Sequence, residues 1–212
     1  MKDDKYISNA VIRRLPRYYR YLGDLMAGGT MRISSGELSS RMGLTASQVR
    51  QDLNHFGGFG QQGYGYNVEM LHHEIGKILG LEHEHELIII GAGHLGTALA
   101  NYANFAKRGF KVSAIFDNNP LVTGMEINGL KVRSMEEAEN YIKEHEVDIA
   151  VLAIPKAAAP GVANQLAEYG IRFFWNFASV DLQFKNAEII VENVHLSDSL
   201  MTLSYRMASQ KK

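Results

Sequence analysis

The chain has 212 residues but no cysteine, a single tryptophan and only four prolines. Without cysteine, a disulfide framework, a thiol redox switch and a cysteine-rich zinc site are excluded. No apolar run approaches the roughly 18 residues of a membrane span, and the N-terminus lacks the apolar core of a signal peptide. We therefore expect a cytoplasmic protein with no membrane partner, in which any redox response depends on a bound ligand.

The net charge is only −1, but the two parts of the chain differ in sign. Residues 1–80 contain 10 Lys and Arg against 7 Asp and Glu, whereas residues 81–212 contain 12 against 16. A basic segment is the part that suits a polyanion, so nucleic acid binding is expected in the first part of the chain.

Hydrophobic spacing and turn residues divide the chain into three parts. Gly80 ends a helical run, and a polar stretch then precedes an apolar strand. We therefore predict a first domain at residues 1–80, a second at 81–193 and a terminal helix at 194–212. That helix carries apolar residues at heptad-like spacing, which are Leu196, Leu200, Leu203 and Met207.

Two short capped helices follow each other in the first domain. Ser34 and Glu37 have the spacing of a capping box, and Gly43 ends the helix that they begin. Thr45 and Gln48 repeat the capping-box spacing just after this glycine, where a second helix begins. Two such helices joined by a tight turn are typical of a helix-turn-helix unit. A helix before them has an apolar face formed by Leu15, Tyr19, Leu22 and Met26.

The outer side of the second capped helix is polar and suits phosphates or base edges in a DNA major groove. Glycines alternate with aromatic residues over 57–66, which is typical of a β-ribbon wing. A polar helix face is simply solvated in many proteins, so that alternative stays open. The residues predicted to contact DNA are Arg14, Arg17, Arg32, Ser34, Ser47, Gln48, Arg50, Gln51, Asn54, Gln61, Gln62 and Tyr64.

A glycine-rich turn opens the second domain. The apolar strand 86–90 runs directly into Gly91-Ala92-Gly93-His94-Leu95-Gly96 and then into a helix that carries Leu99 and Tyr102. In this pattern Gly91 permits a tight turn, Gly93 lets the backbone approach a pyrophosphate, and Gly96 lets helix and strand pack closely. The start of the helix adds amide donors and a favourable dipole.

A second strand ends at Asp117, about twenty residues after the glycines. A carboxylate at this place hydrogen-bonds the adenine ribose hydroxyls, and the Asn118-Asn119-Pro120 that follows has no arginine for a 2′-phosphate. The pattern therefore favours NADH or NAD over NADP. A glycine turn in an unrelated α/β unit, which binds coenzyme A or nothing, is the alternative.

Further strands and helices alternate up to about residue 193, as in a doubly wound sheet. The fold class is therefore α/β, with an N-terminal winged helix-turn-helix domain, a Rossmann-like doubly wound sheet and a C-terminal dimerisation helix. The crevice at the carboxyl ends of the strands is expected to include Ile154, Pro155, Asn176 and Phe177 as neighbours of the nicotinamide.

Little of the chain is left for catalysis. A hydride-transfer enzyme needs a substrate pocket and a positioned acid or base, but only one amphipathic helix follows the sheet. His94 lies in the phosphate turn and is expected to be solvated or to face a phosphate. We assign no catalytic residue and no metal ligand, and we expect the last helix to pack against a second subunit.

In their joint order, several motifs resemble the Rex family of redox-sensing transcriptional repressors. They are Arg14-Leu15-Pro16-Arg17-Tyr18-Tyr19-Arg20, Val49-Arg50-Gln51-Asp52-Leu53, Gly63-Tyr64-Gly65-Tyr66 in the wing, the glycine turn 91–96 and Phe116-Asp117. The resemblance runs almost from end to end.

The resemblance implies a homodimer with an exchanged C-terminal helix that binds palindromic double-stranded operator DNA and leaves it when NADH binds. By position, Arg50 and the wing would contact DNA, Tyr102 and Phe177 would lie near the nicotinamide or dimer cleft, and Arg20 would link the two domains. An NAD-dependent oxidoreductase and a coenzyme A or nucleotide sensor remain the alternative functions.

The chain also departs from the family at two places. Many members have basic residues at the wing tip and after the helix arginine, where this chain has Gln61, Gln62 and Gln51, so weaker phosphate contacts are expected. His195 stands where the family often has an Asp that pairs with the linking arginine.

Overall fold

The computed structural model describes residues 7–57, 59–61 and 64–210. The chain forms two compact units, residues 1–83 and residues 84–212. Within the described ranges, no helix is both long enough and apolar enough to span a membrane.

The first unit is a small helical domain with a three-stranded sheet. Its helices are α1 (Asn9–Ile12), α2 (Leu15–Ala27), α3 (Ser35–Met42), α4 (Ala46–Asn54) and α5 (Val68–Ile78). Its strands are β1 (Arg32–Ile33), β2 (Gly60–Gln61) and β3 (Gly65–Asn67), which pair antiparallel in the order β1-β3-β2. This arrangement is the predicted winged helix-turn-helix domain, with α3 and α4 as the paired helices.

The predicted apolar face of α2 is wrong at Met26 and omits two buried residues, while Tyr19 packs against the core as a partly buried residue. Leu15 and Leu22 are buried as expected, but Tyr18 and Leu25 are buried with them, while Met26 is exposed and Tyr19 is only half-buried. A buried set at i, i+3, i+7 and i+10 fits the 3.6-residue period equally well, so spacing alone does not distinguish the two faces.

Both predicted caps are present, though one of them is incomplete. Ser34 and Glu37 form the full reciprocal capping box of α3, and Gly43 ends that helix with a φ of 65°. At α4 the Thr45 hydroxyl accepts a hydrogen bond from the Gln48 backbone amide at 3.1 Å. This bond is the only half of the predicted capping box that these two residues form.

The second unit is a doubly wound α/β domain. Its strands are β4 (His85–Ile90), β5 (Phe110–Asp117), β6 (Glu126–Ile127), β7 (Leu130–Ser134), β8 (Ile149–Leu152), β9 (Phe173–Asn176) and β10 (Ile190–Asn193). Its helices are α6 (His94–Ala100), α7 (Ala138–Glu144), α8 (Ala159–Glu168) and α9 (Leu196–Gln210). All strands pair in parallel except β6, which pairs antiparallel with β7 at the edge.

The strand order β10-β9-β8-β4-β5-β7-β6 places β4 at the centre. Starting from β4, one half of the sheet winds through β5 to β7 and the other through β8 and β9 to β10. The order therefore reverses between β4 and β8, and ligands of open α/β sheets bind at the carboxyl ends of the strands at this point.

The element predictions need two adjustments in this unit. Helix α6 ends at Ala100, so Tyr102 lies in the turn after it and not on the helix. Helix α9 begins at Leu196, two residues later than predicted, and all of its residues from Leu196 to Gln210 are exposed in the single chain. Its apolar residues therefore do not pack on the sheet of their own chain.

Candidate dinucleotide site and nucleic-acid interface

The glycine turn after β4 is tight where two of its glycines lie. Gly91 has a φ of 102°, and a Cβ there would lie 2.5 Å from the Ala153 carbonyl oxygen. A Cβ on Gly96 would overlap the carbonyl oxygen of Gly91. These two positions therefore exclude any side chain, because the turn folds back onto the start of α6 and onto the end of β8.

Gly93 differs from the other two because it borders open space. No atom lies within 4 Å of the place where its Cβ would stand, and its φ of −70° is ordinary. The helix that starts beside it has no side-chain cap, so its first amides remain available as donors. The neighbouring His94 is exposed and Leu95 half-buried, while Ala92 is buried. The turn thus offers backbone donors and room for a pyrophosphate, which is the fit that a dinucleotide requires.

Asp117, the last residue of β5, stands next to this turn. One carboxylate oxygen accepts from the Ala92 amide at 2.7 Å and the other from the Asn119 amide at 2.8 Å. A carboxylate has about four acceptor positions, so it keeps capacity for the hydroxyls of a ribose. The acid and the glycine turn are therefore parts of one site, held together by a hydrogen bond.

The opposite wall of the crevice comes from the ends of β8 and β9. Ile154 lies close to the turn, since a Cβ on Gly91 would be 2.9 Å from its Cγ2 atom, and Pro155 follows it at the surface. Phe177 extends the pairing of β9 with β8, because its amide donates to Leu152 at 3.0 Å. Ile154 and Phe177 thus follow the carboxyl ends of β8, which adjoins β4, and of β9, which is the next strand on this side.

Asn176 was predicted to face the nicotinamide, but its side chain has a different role. It is fully buried, its amide nitrogen donates to the Val180 carbonyl and to Asn193 Oδ1, both at 2.8 Å, and its Oδ1 accepts from the Ala178 amide at 3.0 Å. The side chain therefore holds the ends of β9 and β10 together beneath the crevice.

A row of aromatic rings leads away from Phe177. Its ring centroid lies 4.6 Å from that of Trp175, which lies 5.5 Å from Phe105, which in turn lies 4.8 Å from Tyr102. Tyr102 itself is 52% exposed. Sequence analysis placed Tyr102 and Phe177 among the candidates but missed Phe105. Trp175 lies two residues before Phe177, a spacing that could have placed both on one face, but nothing local pointed to Phe105.

Five of the twelve residues predicted to contact DNA lie together on α4. Ser47, Arg50, Gln51 and Asn54 are exposed and line one shallow depression, together with His55 at the end of the helix. Gln48 is half-buried at its edge. The Arg50 guanidinium donates to the Ser35 hydroxyl at 3.0 Å, which directs it across the start of α3. Sequence analysis did not name His55, because it follows the last helical residue.

Arg14, the residue before α2, and Arg17, on α2, are held by intramolecular bonds. Nε and Nη2 of Arg14 both donate to the carboxylate of Asp52 at 2.7 Å, and the Arg14 side chain is only 19% exposed. Arg17 is exposed and donates to the Met42 carbonyl at 2.7 Å. Arg14 is thus engaged within the domain, whereas Arg17 keeps an exposed side chain.

Arg32 and Tyr64, which were predicted to contact DNA at the wing, are exposed. Arg32 donates to the Tyr64 carbonyl at 3.3 Å, and its guanidinium lies 5.9 Å from the centroid of the Tyr64 ring. The Ser34 hydroxyl is part of the α3 cap. Gln61 belongs to β2, but its side chain and the whole of Gln62 lie outside the described residues.

The two residues singled out by the family resemblance have local contacts. The guanidinium of Arg20 lies 5.7 Å from the ring centroid of Tyr21. His195 lies 3.7 Å from a carboxylate oxygen of Asp181, in the segment that leads into α9.

The first unit is a winged helix-turn-helix domain in which α4 is polar and exposed. The second is a doubly wound domain with a glycine turn and an acidic residue at a strand end. Together these features define a DNA-binding regulator with a nucleotide site. Two family profiles match these parts. One, described as a putative DNA-binding protein N-terminus, covers residues 6–54, and the other, described as a CoA binding domain, covers residues 82–180.

Curated relatives match the whole chain. A redox-sensing transcriptional repressor Rex of Clostridioides difficile strain 630 is 56% identical over 211 residues and 100% of both chains, and one of Thermoanaerobacter sp. strain X514 is 52% identical over 100% of this chain and 94% of the relative. The chain therefore belongs to the Rex family of redox-sensing transcriptional repressors.

Solved structures of one Rex-family repressor, RSP, have the same fold. RSP in complex with β-NAD⁺ and operator DNA is 52% identical, has a TM-score of 0.91 and is matched over 98% of this chain and 95% of its own. RSP in complex with β-NADH is 50% identical, with the same TM-score, over 98% and 97%.

Proposed function

We propose that the chain is a transcriptional repressor that binds palindromic operator DNA as a homodimer and releases it when NADH occupies the crevice beside Gly93. One observation carries this proposal most directly: the Asp117 carboxylate is bonded to the glycine turn in a chain about half identical to RSP, which was crystallised with β-NADH and with β-NAD⁺ and operator DNA. The chain would act in the cytoplasm, where the dinucleotide meets DNA.

In this proposal the second unit holds NADH through its backbone turn and Asp117. The amides that follow Gly93 would bind the pyrophosphate, and the free acceptor positions of Asp117 would bind the adenine ribose hydroxyls. Ile154, Pro155, Phe177 and Tyr102 would border the nicotinamide end. A bound NADH could supply a hydride, but the proposed repressor uses only its binding.

The first unit would contact DNA with α4 in the major groove. Arg50, Gln51 and Asn54 are the residue types that hydrogen-bond base edges, and Ser47 and Gln48 stand at the start of the same helix. Arg17 and Arg32 are exposed cations suited to phosphates, and Tyr64, with Gln61 and Gln62, would extend the contact along the wing.

The link between the two ligands is thermodynamic. If NADH and operator DNA favour different arrangements of the dimer, NADH lowers the affinity for DNA, and DNA must lower the affinity for NADH by the same factor. Equal NADH affinity with and without bound operator would contradict this coupling.

Two alternatives are weaker on chemical grounds. Coenzyme A carries a phosphate on its adenine ribose, which would meet the Asp117 carboxylate with like charge, so the acid favours a ribose with free hydroxyls. A catalytic role would need an acid or base at the nicotinamide end, oriented by a partner. Ile154, Pro155 and Phe177 cannot exchange protons. The Tyr102 hydroxyl can, but its side chain is exposed and its hydroxyl accepts a hydrogen bond of 3.3 Å from the Asn104 side-chain amide, which does not activate it as a base.

A mobility-shift experiment tests the proposed function. The probe is a DNA duplex selected by the wild-type chain from a random-sequence library, and NADH, NAD⁺ and coenzyme A are added in turn. We expect NADH to release the duplex most effectively. Asp117→Ala should still bind the duplex but should no longer respond to NADH. Failure of the wild type to select any duplex, or release by coenzyme A alone, would refute the proposal.

A further inference from the structure

One residue on the DNA-reading helix faces away from DNA. Asp52 lies in the middle of α4, next to Gln51, and its side chain is only 3% exposed. It accepts three hydrogen bonds, two from Arg14 at 2.7 Å and one from the Tyr18 hydroxyl at 2.9 Å. Arg14 immediately precedes α2 and Tyr18 lies in its first turns. They are 38 and 34 residues away from Asp52 in sequence, so the acid joins the reading helix to the start of a distant helix.

A carboxylate that is buried to this extent needs partners that compensate for its lost hydration. Moving an ion out of water costs several kcal/mol unless another charge and good hydrogen bonds compensate for it. The hydrogen bond to Asp52 raises the pKa of Arg14, and burial, followed by the bond to Asp52, raises the pKa of Tyr18. Arg14 therefore stays a cation and Tyr18 stays a hydroxyl donor, and the acid has all three donors at neutral pH.

The pairing also fixes an orientation that apolar packing does not. Val49 and Leu53 bury the inner face of α4, but hydrophobic contact is not directional and tolerates rotation of a short helix. A guanidinium that binds both oxygens of one carboxylate has a single favourable geometry. The Asp52 pairing therefore determines which residues of α4 point outward.

Resting on the proposed function, we propose that Asp52, Arg14 and Tyr18 are positioning residues that hold α4 at the rotation in which Arg50, Gln51 and Asn54 face DNA. Arg14 then acts on DNA binding from inside the domain and makes no phosphate contact of its own.

The dependence of affinity on salt separates this role from a direct phosphate contact. Each phosphate neutralised by a protein cation adds about 0.9 to the slope of log affinity against log salt concentration. Loss of a positioning residue lowers affinity without changing the number of phosphate contacts, so the slope stays the same. Loss of a phosphate contact lowers both.

The experiment uses the full chain and a duplex that the wild type has selected from a random library. Operator affinity is measured by fluorescence anisotropy over a salt series for Arg14→Gln, Asp52→Asn and the double variant, with Arg32→Gln as the comparison for an exposed cation. Circular dichroism melting and NADH titration confirm that each variant is folded and that its second unit is intact.

We expect each single change to weaken operator binding about tenfold, the factor that one good base contact represents, at an unchanged salt slope. The double variant should lose about as much affinity as either single variant, because both changes remove the same pairing, whereas Arg32→Gln should reduce the slope. Tyr18→Phe removes one hydrogen bond without removing a charge. It should weaken binding roughly threefold, and it provides the test if the charged variants do not fold.

Several results would overturn the inference. One is a reduced slope for Arg14→Gln, another is additive losses in the double variant, and a third is wild-type operator affinity in Tyr18→Phe and in every folded variant. Failure of the wild type itself to select a duplex would instead refute the proposed function, so the two failures are distinguishable.

Discussion

The glycines of the turn after β4 have different physical roles, although they belong to one motif. At Gly91 and Gly96 a side chain would collide with backbone oxygens, whereas at Gly93 it would enter open space. The first two are therefore required by the fold, whereas the space beside the third is available to the proposed pyrophosphate. The motif predicts these different roles, and the contacts of Gly91 and Gly96 agree with them.

Substitution by alanine should separate these roles. Gly93→Ala should leave the melting temperature unchanged and weaken NADH binding by about tenfold or more, because its methyl group occupies the space of the pyrophosphate. Gly96→Ala should lower the free energy of unfolding by at least about 1–3 kcal/mol through overpacking. Thermal unfolding and NADH titration of both variants check this, and a Gly93→Ala protein with wild-type NADH affinity would contradict the assigned site.

A second residue-scale prediction concerns His72 on α5. Its ring stacks on Tyr19 at a centroid distance of 4.0 Å, and burial, followed by the neighbouring His73, lowers its pKa below the ordinary value of 6.5. The folded state therefore binds its proton less well than the unfolded state, and this contribution to stability is lost as pH falls below about 6.5. His72→Phe should remove that loss.

Urea unfolding of the full chain at about pH 7.5 and 5.5 measures the effect, with His73→Gln as the control. His73 is exposed, so its replacement should leave most of the pH dependence in place. An equal pH dependence in wild type and His72→Phe would show that another group is responsible.

At this scale, residues whose role depends on their immediate neighbours were predictable and those with distant partners were not. Asp117 could be placed from its position after the glycines. Asp52 and Asn176 could not, because their partners lie up to 38 and 17 residues away, and Arg14 was therefore interpreted as a free cation.

Among the elements, α3 has the clearest link between sequence and structure. Its capping box is complete, and the bonds from the Ser34 amide and hydroxyl lower the pKa of Glu37. Ser34 was also predicted to contact DNA, and a hydroxyl that is part of the cap can serve both purposes only if it remains exposed, as it does here.

Two substitutions at Ser34 distinguish these purposes. Ser34→Ala should cost about 1 kcal/mol of stability because the cap is lost. Ser34→Asp should preserve the cap, yet it should weaken operator binding if a phosphate lies nearby, because it adds a negative charge there. Chemical unfolding and mobility shift provide the two measurements, and unchanged DNA affinity in Ser34→Asp would remove Ser34 from the proposed interface.

The elements also show the limits of hydrophobic spacing. Strong local signals, such as the caps at the starts of α3 and α4, are found where they were predicted. The buried face of α2 and the end of α6 were not, since both depend on what packs against the helix.

For the molecule as a whole, α9 is the feature that a single chain leaves incomplete. Leu196, Leu200, Leu203 and Met207 are all more than half exposed, which is expensive for four large apolar side chains in water. A second copy of the chain is the partner that the family resemblance implies, and it would cover this stripe.

Leu203→Glu should therefore convert the dimer into a monomer, measured by light scattering after size exclusion. Ser209→Glu is the matched control, because it adds the same charge on the opposite side of the helix and should leave the dimer intact. A dimer that persists in Leu203→Glu, or in a chain truncated after Asn193, would exclude α9 from the interface.

The bond between Asp117 and Ala92 has a consequence for how quickly the protein responds. Because the carboxylate is already fixed by two backbone amides, an arriving dinucleotide meets an organised acceptor and waits for no side-chain rearrangement at this point. Differences in affinity between the reduced and oxidised forms would then appear mainly in their residence times. The delay between a change in the redox state of the cell and a change in transcription would accordingly be determined by how fast NADH departs.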